Sequence, residues 1–224
     1  MIANRPLARS DPATWIQAFR DITNATNERT LVTGNLPRSG IGNNAPAIDY
    51  EHGRSIASAL VSANMNSLPL DWAARFSVGG VHMNFFVLKQ IPVLPPDMYL
   101  KNSACGRLYV ELIVPRALQL SYASEELAGF ARDLGYKGPP FPWNEHRRHC
   151  LQSELDAIFA HMYGLSRPDL EWILDATPPG SSFPSLKQYE LRRFGEYRTG
   201  RFVLHAFDSI QRGFAPDVFA EVRG

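Results

Sequence analysis

The strongest periodic signal in the chain lies between Glu145 and Tyr163, where Leu151, Leu155, Ile158, Phe159 and Met162 recur at the spacing of one helix face. Asn144 suits its N-cap and Gly164 its C-terminal stop, so the pattern predicts a strongly amphipathic helix. Ser166 caps a second, shorter helix with Pro168 in its first turn and Leu170, Ile173 and Leu174 facing inward. Leu108 to Leu120 also reads as helix, with Pro115 as an interruption, and Tyr197 to Gln211 forms a last one after a loop at Pro178 to Ser182. The first hundred residues are mixed. Pro12 to Phe19 places Trp15, Ile16 and Phe19 on one side and predicts a short helix. Extended segments are expected at Arg20 to Thr23 and Arg29 to Leu36, around a turn at Asn24 to Asn27. A loop from Arg38 to Asn44 leads to a strand at Pro46 to Tyr50, then a helix from Ser55 to Leu68 with Ile56, Leu60 and Ala63 on one face. Gly79-Gly80 breaks the pattern, Asn84 to Leu88 reads as a strand, and Ile91 to Pro96 leaves as an extended arm because its prolines cannot join a ladder. These elements predict an α+β fold. A mixed α/β module over residues 1–100 is followed by a mainly α-helical part over residues 101–224, which would support the module and dock it to a partner domain.

Composition changes this picture little. At 224 residues, 45% hydrophobic and 20% charged, the chain can bury a core and has ordinary globular content. It holds no apolar run of about 18 residues, and Met1 to Pro6 lacks the apolar stretch of a signal peptide, so no membrane partner is expected. Cys105 and Cys150 make neither a disulfide framework nor a zinc site, which suits reduced thiols and a cytoplasmic location. The net charge of +1 is indifferent, since a basic face can be balanced by an acidic one. Of the 23 basic residues only Lys89, Lys101, Lys137 and Lys187 are lysine; the rest are arginine, whose planar fork suits phosphates and guanine edges.

Catalytic motifs fail on chemical grounds. Gly138-Pro139-Pro140-Phe141 has the outline of the Asp/Asn-Pro-Pro-aromatic motif of amino-methyltransferases, but glycine offers no side chain to accept from a target amine. It reads as a turn packing Phe141 and Trp143. No Gly-x-Gly loop follows an expected strand, so no nucleotide or S-adenosylmethionine site is visible. None of the four lysines has an acidic residue two positions before it, as the commonest metal-dependent nucleases require. His146 and His149, flanked by Arg147 and Arg148, read as a solvated helix start rather than a metal pair. No catalytic residue, cofactor site or metal site is assigned.

Two clusters carry groups that read or grip nucleic acid. The segment Arg20 to Thr30 gathers Arg20, Asn24, Asn27, Arg29 and Thr30 around one turn. Asn pairs with adenine, Arg with guanine, and Thr offers a hydroxyl and a methyl. The competing reading is a turn whose Asn and Thr side chains bond local backbone. The segment Arg75 to Gln90 adds Arg75, His82, Asn84, Lys89 and Gln90 around a Gly-Gly step that lets backbone approach a phosphate. Phe85, Phe86 and Val87 read there as core.

Nearly the whole chain follows an order of segments: Phe19-Arg-Asp-Ile-Thr23, Asn27-Glu-Arg-Thr30, Leu36-Pro37, Asn66-Ser67, Arg75, and Val78 through Pro96. Gly138 to Phe141, Glu154 to Ala157, Tyr163 to Leu165, Ile173 to Asp175 and Gly195 to Thr199 continue it. In this order the chain resembles the C-terminal target-recognition region of large adenine-specific DNA methyltransferases, as in type IIG restriction–modification enzymes and phage-defence methylases. The stretch Gly79 to Pro96 is also similar to the end of target-recognition domains in type I specificity subunits. The resemblance implies a module that binds double-stranded DNA for a methyltransferase domain of the same parent polypeptide. S-adenosylmethionine is expected in that domain, which lies outside this chain, so the chain reads as a fragment of a larger protein. Arg20, Arg29, Arg38, Arg75 and Lys89 are then expected to grip phosphate or guanine, Asn24, Asn27, His82, Asn84 and Gln90 to face bases, and Thr30 to contact the DNA with them. The alternative is an assembly module of a restriction system, docking through the Glu145–Tyr163 helix without reading bases.

Overall fold

A computed structural model describes residues 14–50, 54–175 and 182–221. Trp15–Phe19 forms β1, the middle strand of an antiparallel sheet ordered β2-β1-β3, with β2 at Thr33–Pro37 and β3 at Ala47–Ile48. Trp15 faces Pro37 and Phe19 faces Thr33 across one edge, while Gln17 faces Ile48 across the other. This strand stands where the sequence pattern predicts a helix. The reason is geometric: Trp15 and Phe19, four apart, fall on the same side of a helix and of a strand, so their spacing does not separate the two. Pairing on both edges satisfies the strand's backbone and decides the matter. Residues 12 and 13 of that expected helix lie outside the described residues.

Ten helices follow among the described residues, giving a mostly helical α+β fold. They are α1 (Arg54–Met65), α2 (Leu68–Ser77), α3 (Phe85–Leu88), α4 (Tyr109–Ser121), α5 (Ala128–Asp133), α6 (Glu145–Met162), α7 (Arg167–Asp175), α8 (Pro184–Phe194), α9 (Arg198–Gln211) and α10 (Val218–Glu221). Several depart from the sequence pattern, and α5, α8 and α10 stand where it names no element. The expected Ser55–Leu68 helix ends at Met65, and α2 starts afresh with Pro69 in its first turn. The expected strand Asn84–Leu88 is instead the short helix α3, because the Asn84 side chain accepts a hydrogen bond from the Val87 amide at 3.0 Å and caps it. The expected loop at Pro178–Ser182 lies outside the described residues except for Ser182.

Helix α6 is the axis of the fold and packs against α2, α4, α9 and α10. Its caps are those its sequence indicates. Asn144 Oδ1 accepts from the Arg147 amide at 2.8 Å. At the far end Gly164 takes φ +70°, Gly164 N donates to His161 O and Leu165 N donates to Ala160 O, both at 3.0 Å, which is a Schellman ending. Its second half is buried almost all round, from Ser153 to Ala160, so it is a core helix rather than an amphipathic one with a free face.

The main core joins Trp15 and α1 to side chains of α4, α6, α7 and α9, and so runs across residue 100. A smaller cluster of Phe19, Leu31, Met65, Leu70, Ala74, Val78, Met83 and Ile91 sits under the loops at residues 20–31 and 78–91. It fixes both segments that the sequence singles out. Gln17, fully buried on β1, is satisfied by donating to Thr33 Oγ1 at 3.1 Å and by accepting from Ser58 Oγ at 3.0 Å and from the Tyr50 hydroxyl.

Candidate nucleic-acid interface

The segment Arg20 to Thr30 is a turn that closes on itself. The Thr23 hydroxyl donates to Thr30 O at 2.6 Å, and the Thr30 hydroxyl donates to Asn24 O at 3.0 Å. Asn24 Oδ1 accepts from the Thr26 amide at 2.9 Å and the Thr26 hydroxyl at 2.7 Å, while Asn27 Nδ2 donates to Thr23 Oγ1 at 3.2 Å. Short polar side chains compete here for backbone groups that would otherwise enter a ladder.

Two residues of α2 clamp this turn from behind. Asp71 is fully buried; its Oδ1 accepts from the amides of Thr30 at 2.8 Å and Leu31 at 2.6 Å. Arg75, one helical turn later, donates Nε to Asp71 Oδ2 at 3.0 Å. Its terminal nitrogens donate to Ala25 O, Asn27 O and Glu28 O at 2.8, 2.9 and 3.1 Å, and its guanidinium lies 4.3 Å from the Phe183 ring centre. Burial lowers the Arg75 pKa from its usual value against the pull of Asp71.

Arg29 turns away to α6. It donates to Asn66 O at 3.1 Å and to Asp156 Oδ2 at 3.2 Å, and Asp156 Oδ1 accepts from the Leu68 amide at 2.7 Å. Burial opposes the charge on Arg29, but the carboxylates of Asp156 and Asp71 outweigh it and hold the pKa above its usual value. Asn24, Asn27, Arg29, Thr30 and Arg75 are thus engaged within the chain, the arrangement of the competing turn reading.

The second cluster is joined to the first. Thr23 N donates to Val81 O at 3.0 Å, Met83 N donates to Asp21 O at 2.6 Å, and Ile22 bridges His82. His82 Nδ1 lies 2.7 Å from Asp21 Oδ2 with the imidazole still more than half exposed. Arg20 and Asn84, next to this seam in the chain, and Lys89 and Gln90, at the end of α3, are exposed. Arg20 donates to Thr23 Oγ1 at 3.2 Å and Arg29 O at 2.7 Å, and Gln90 donates to Phe86 O at 3.2 Å. Arg38 is exposed beyond β2, and among the described residues neither it nor Lys89 forms an ion pair. Gly79 and Gly80 are exposed, with open space where side chains would stand.

The aromatic residues divide. Phe85 packs edge-on against Phe19 at 5.4 Å, as the pattern predicts, but Phe86 is 76% exposed and is not core. Ile22 and Val81 are exposed as well. The seam therefore presents cationic and amide groups among apolar ones.

Elsewhere, Phe141 stacks on Tyr136 at 4.9 Å as expected of a packed turn, whereas Trp143 stands exposed. His149 is not solvated: its Nε2 meets Thr199 Oγ1 at 2.9 Å, and burial lowers its pKa to about 4. His146 lies against Phe202 and Phe219. Among the described residues no group of three or more His, Cys, Asp or Glu side chains converges to hold a metal, and no helix is long and apolar enough to cross a membrane. Compared with family models, curated proteins and solved structures, the chain finds no match in any of the three.

Proposed function

We propose that the chain is a DNA target-recognition module, acting in the bacterial cytoplasm, that positions double-stranded DNA for a separate adenine methyltransferase domain. The chemistry, and the S-adenosylmethionine it needs, belong to that other domain. The single observation that carries the reading is the seam between Asp21–Thr23 and Val81–Met83, which brings two segments some sixty residues apart onto one surface. His82 lies on that seam, Arg20 and Asn84 adjoin it in the chain, and Gly79-Gly80, Lys89 and Gln90 are exposed in the same segment. Cations there would bind phosphates, and the amides and imidazole would meet base edges.

The engaged residues take a supporting part in this reading. Arg29, Arg75, Asn24, Asn27 and Thr30 hold the turn in shape, and the outward groups make the contacts. Fluorescence anisotropy with a labelled duplex at low salt tests it. The expected result is measurable affinity that weakens with salt, with Lys89→Ala lowering the salt slope by about one. Absence of DNA affinity in the folded chain, and unchanged site choice in the parent enzyme after Lys89→Ala and Asn84→Ala, would sink the proposal.

A second reading, an assembly module, is favoured by a different surface. Trp72, Phe76 and Trp172 form an edge-to-face row at 4.9 and 5.9 Å, with Phe76 and Trp172 mostly exposed. Substitutions there that break a complex while sparing DNA affinity would support it.

A further inference from the structure

A concave surface borders α6, between it and α8 and the start of α9 on one side and between it, β2, α1 and α4 on the other. It comprises two adjoining clefts of about 520 and 360 Å³ that share Arg29, Arg148, Gln152 and Asp156 on their walls. Both volumes fall in the range of roughly 300–1,000 Å³ typical of small-molecule sites. Most charges on these walls are already matched within the chain. Arg29 pairs with Asp156, Glu145 with Arg193 at 2.7 Å and Arg198 with Glu196 at 3.1 Å, while Glu190 accepts from the Thr199 hydroxyl at 2.6 Å.

Arg148 is different. Among the described residues no acceptor takes a bond from its guanidinium, which lies instead 3.9 Å from the centre of the Trp143 ring. Trp143 is 71% exposed, so an indole and an uncommitted guanidinium stand together at the cleft. A cation without an acceptor beside an exposed aromatic face, in a cleft of this size, marks a place for a ligand that offers both an anion and a π face.

The chemistry of the wall narrows that ligand. A guanidinium presents parallel N–H groups that match phosphate oxygens. An exposed indole stacks any nucleobase, because each base has a π face. We propose that the larger cleft binds a nucleotide unit, with its phosphate on Arg148 and its base against Trp143. The unit is either a free nucleotide or one residue of a single strand. The proposal does not rest on the DNA-recognition reading, since none of Arg20, Arg38, His82, Asn84, Lys89 or Gln90 lines the cleft.

Isothermal titration calorimetry on the full chain at low salt tests it with adenosine monophosphate, adenosine, inorganic phosphate and a short single-stranded oligonucleotide. Saturable binding of the monophosphate is expected, at least about tenfold tighter than adenosine or phosphate alone. Arg148→Ala and Trp143→Ala should each weaken it about tenfold, Arg148→Lys less, and Lys137→Ala, at an exposed position outside both clefts, not at all. Tighter binding of the oligonucleotide identifies a strand residue, and weaker binding a free nucleotide. The proposal is overturned if neither nucleotide probe binds the folded chain, if phosphate binds as well as the monophosphate, or if Arg148→Ala and Trp143→Ala leave affinity within about twofold.

Discussion

Arg29 and Asp156, 127 positions apart in sequence, meet at 3.2 Å where the Arg20–Thr30 turn lies against α6. Asp156 is 2% exposed, and among the described residues it accepts, besides Arg29, only from the Leu68 amide. Removing the arginine therefore leaves a buried carboxylate uncompensated. We predict that Arg29→Ala costs about 3–5 kcal/mol of stability, read from urea unfolding. Asp156→Asn, which keeps an acceptor for Leu68 N, should cost less. Loss of DNA affinity in Arg29→Ala would then report a damaged fold and not a lost contact. A stability change below about 1 kcal/mol would contradict this view of the pair.

Asp71 predicts a second separation of shape from contact. Its carboxylate holds the amides of Thr30 and Leu31 and the guanidinium of Arg75, which in turn holds three carbonyls of the turn. In Asp71→Ala all three donors lose their acceptor, at a cost of about 3 kcal/mol or more. Hydrogen exchange at the Thr30 and Leu31 amides should quicken, and DNA affinity should fall although Asp71 itself is buried. Lys89→Ala should lower affinity with exchange unchanged. Equal exchange in the two variants would count against the clamp.

These two pairings also show what a sequence leaves unread. The helices α4, α6, α7 and α9 are legible because their apolar spacing and their caps at Asn144 and Gly164 are local. β1 is not, since Trp15 and Phe19 share a side in either conformation and only the pairing with β2 and β3 distinguishes them. α2 is obscured because Phe76 puts a large apolar side chain on its exposed side and Asp71 a carboxylate on its buried one. At the interface, composition finds both segments and the Asn and Thr turn chemistry. It does not find that Arg29 and Arg75 bond inward, because Asp156 lies 127 residues from Arg29 and the Arg75 carbonyl partners lie 47 to 50 residues before it. The same holds for Arg148: a lack of partners is a property of the folded surroundings and leaves no local mark.

Asn84 has two separable roles. Its Oδ1 caps α3 through the Val87 amide at 3.0 Å, while the side chain is exposed at the DNA-facing seam of the proposed module. Asn84→Ala removes both roles and should cost about 0.5–2 kcal/mol. Asn84→Asp keeps the cap and removes only the amide donor that would meet a base. We expect Asn84→Asp to hold the thermal midpoint of the parent chain while lowering affinity for duplex DNA more than Asn84→Ala does, because it also adds a negative charge near phosphates. If the two variants lose affinity equally and only in step with stability, Asn84 is a cap and nothing more.

His149 gives the fold a dependence on pH. Burial, reinforced by the charges of Arg198 and Arg29, lowers its pKa to about 4, so the folded chain holds it neutral, with Nε2 directed at Thr199 Oγ1. The unfolded chain takes up that proton near pH 6.5. Between about 6.5 and 4 the unfolded state thus binds more protons, and stability falls as pH falls through this window; above it the contribution is fully present. His161, whose pKa burial also lowers, acts in the same direction. Glu190 acts in the opposite one: burial raises its pKa above the ordinary 4.5, so its contribution is lost as pH rises through the raised value. Comparison with His149→Gln isolates the histidine, because glutamine can still donate to Thr199 without titrating. Thermal midpoints measured from pH 7.5 to 4.5 should decline more steeply for the parent chain than for the variant. Parallel curves would mean that His149 is not held neutral by the fold.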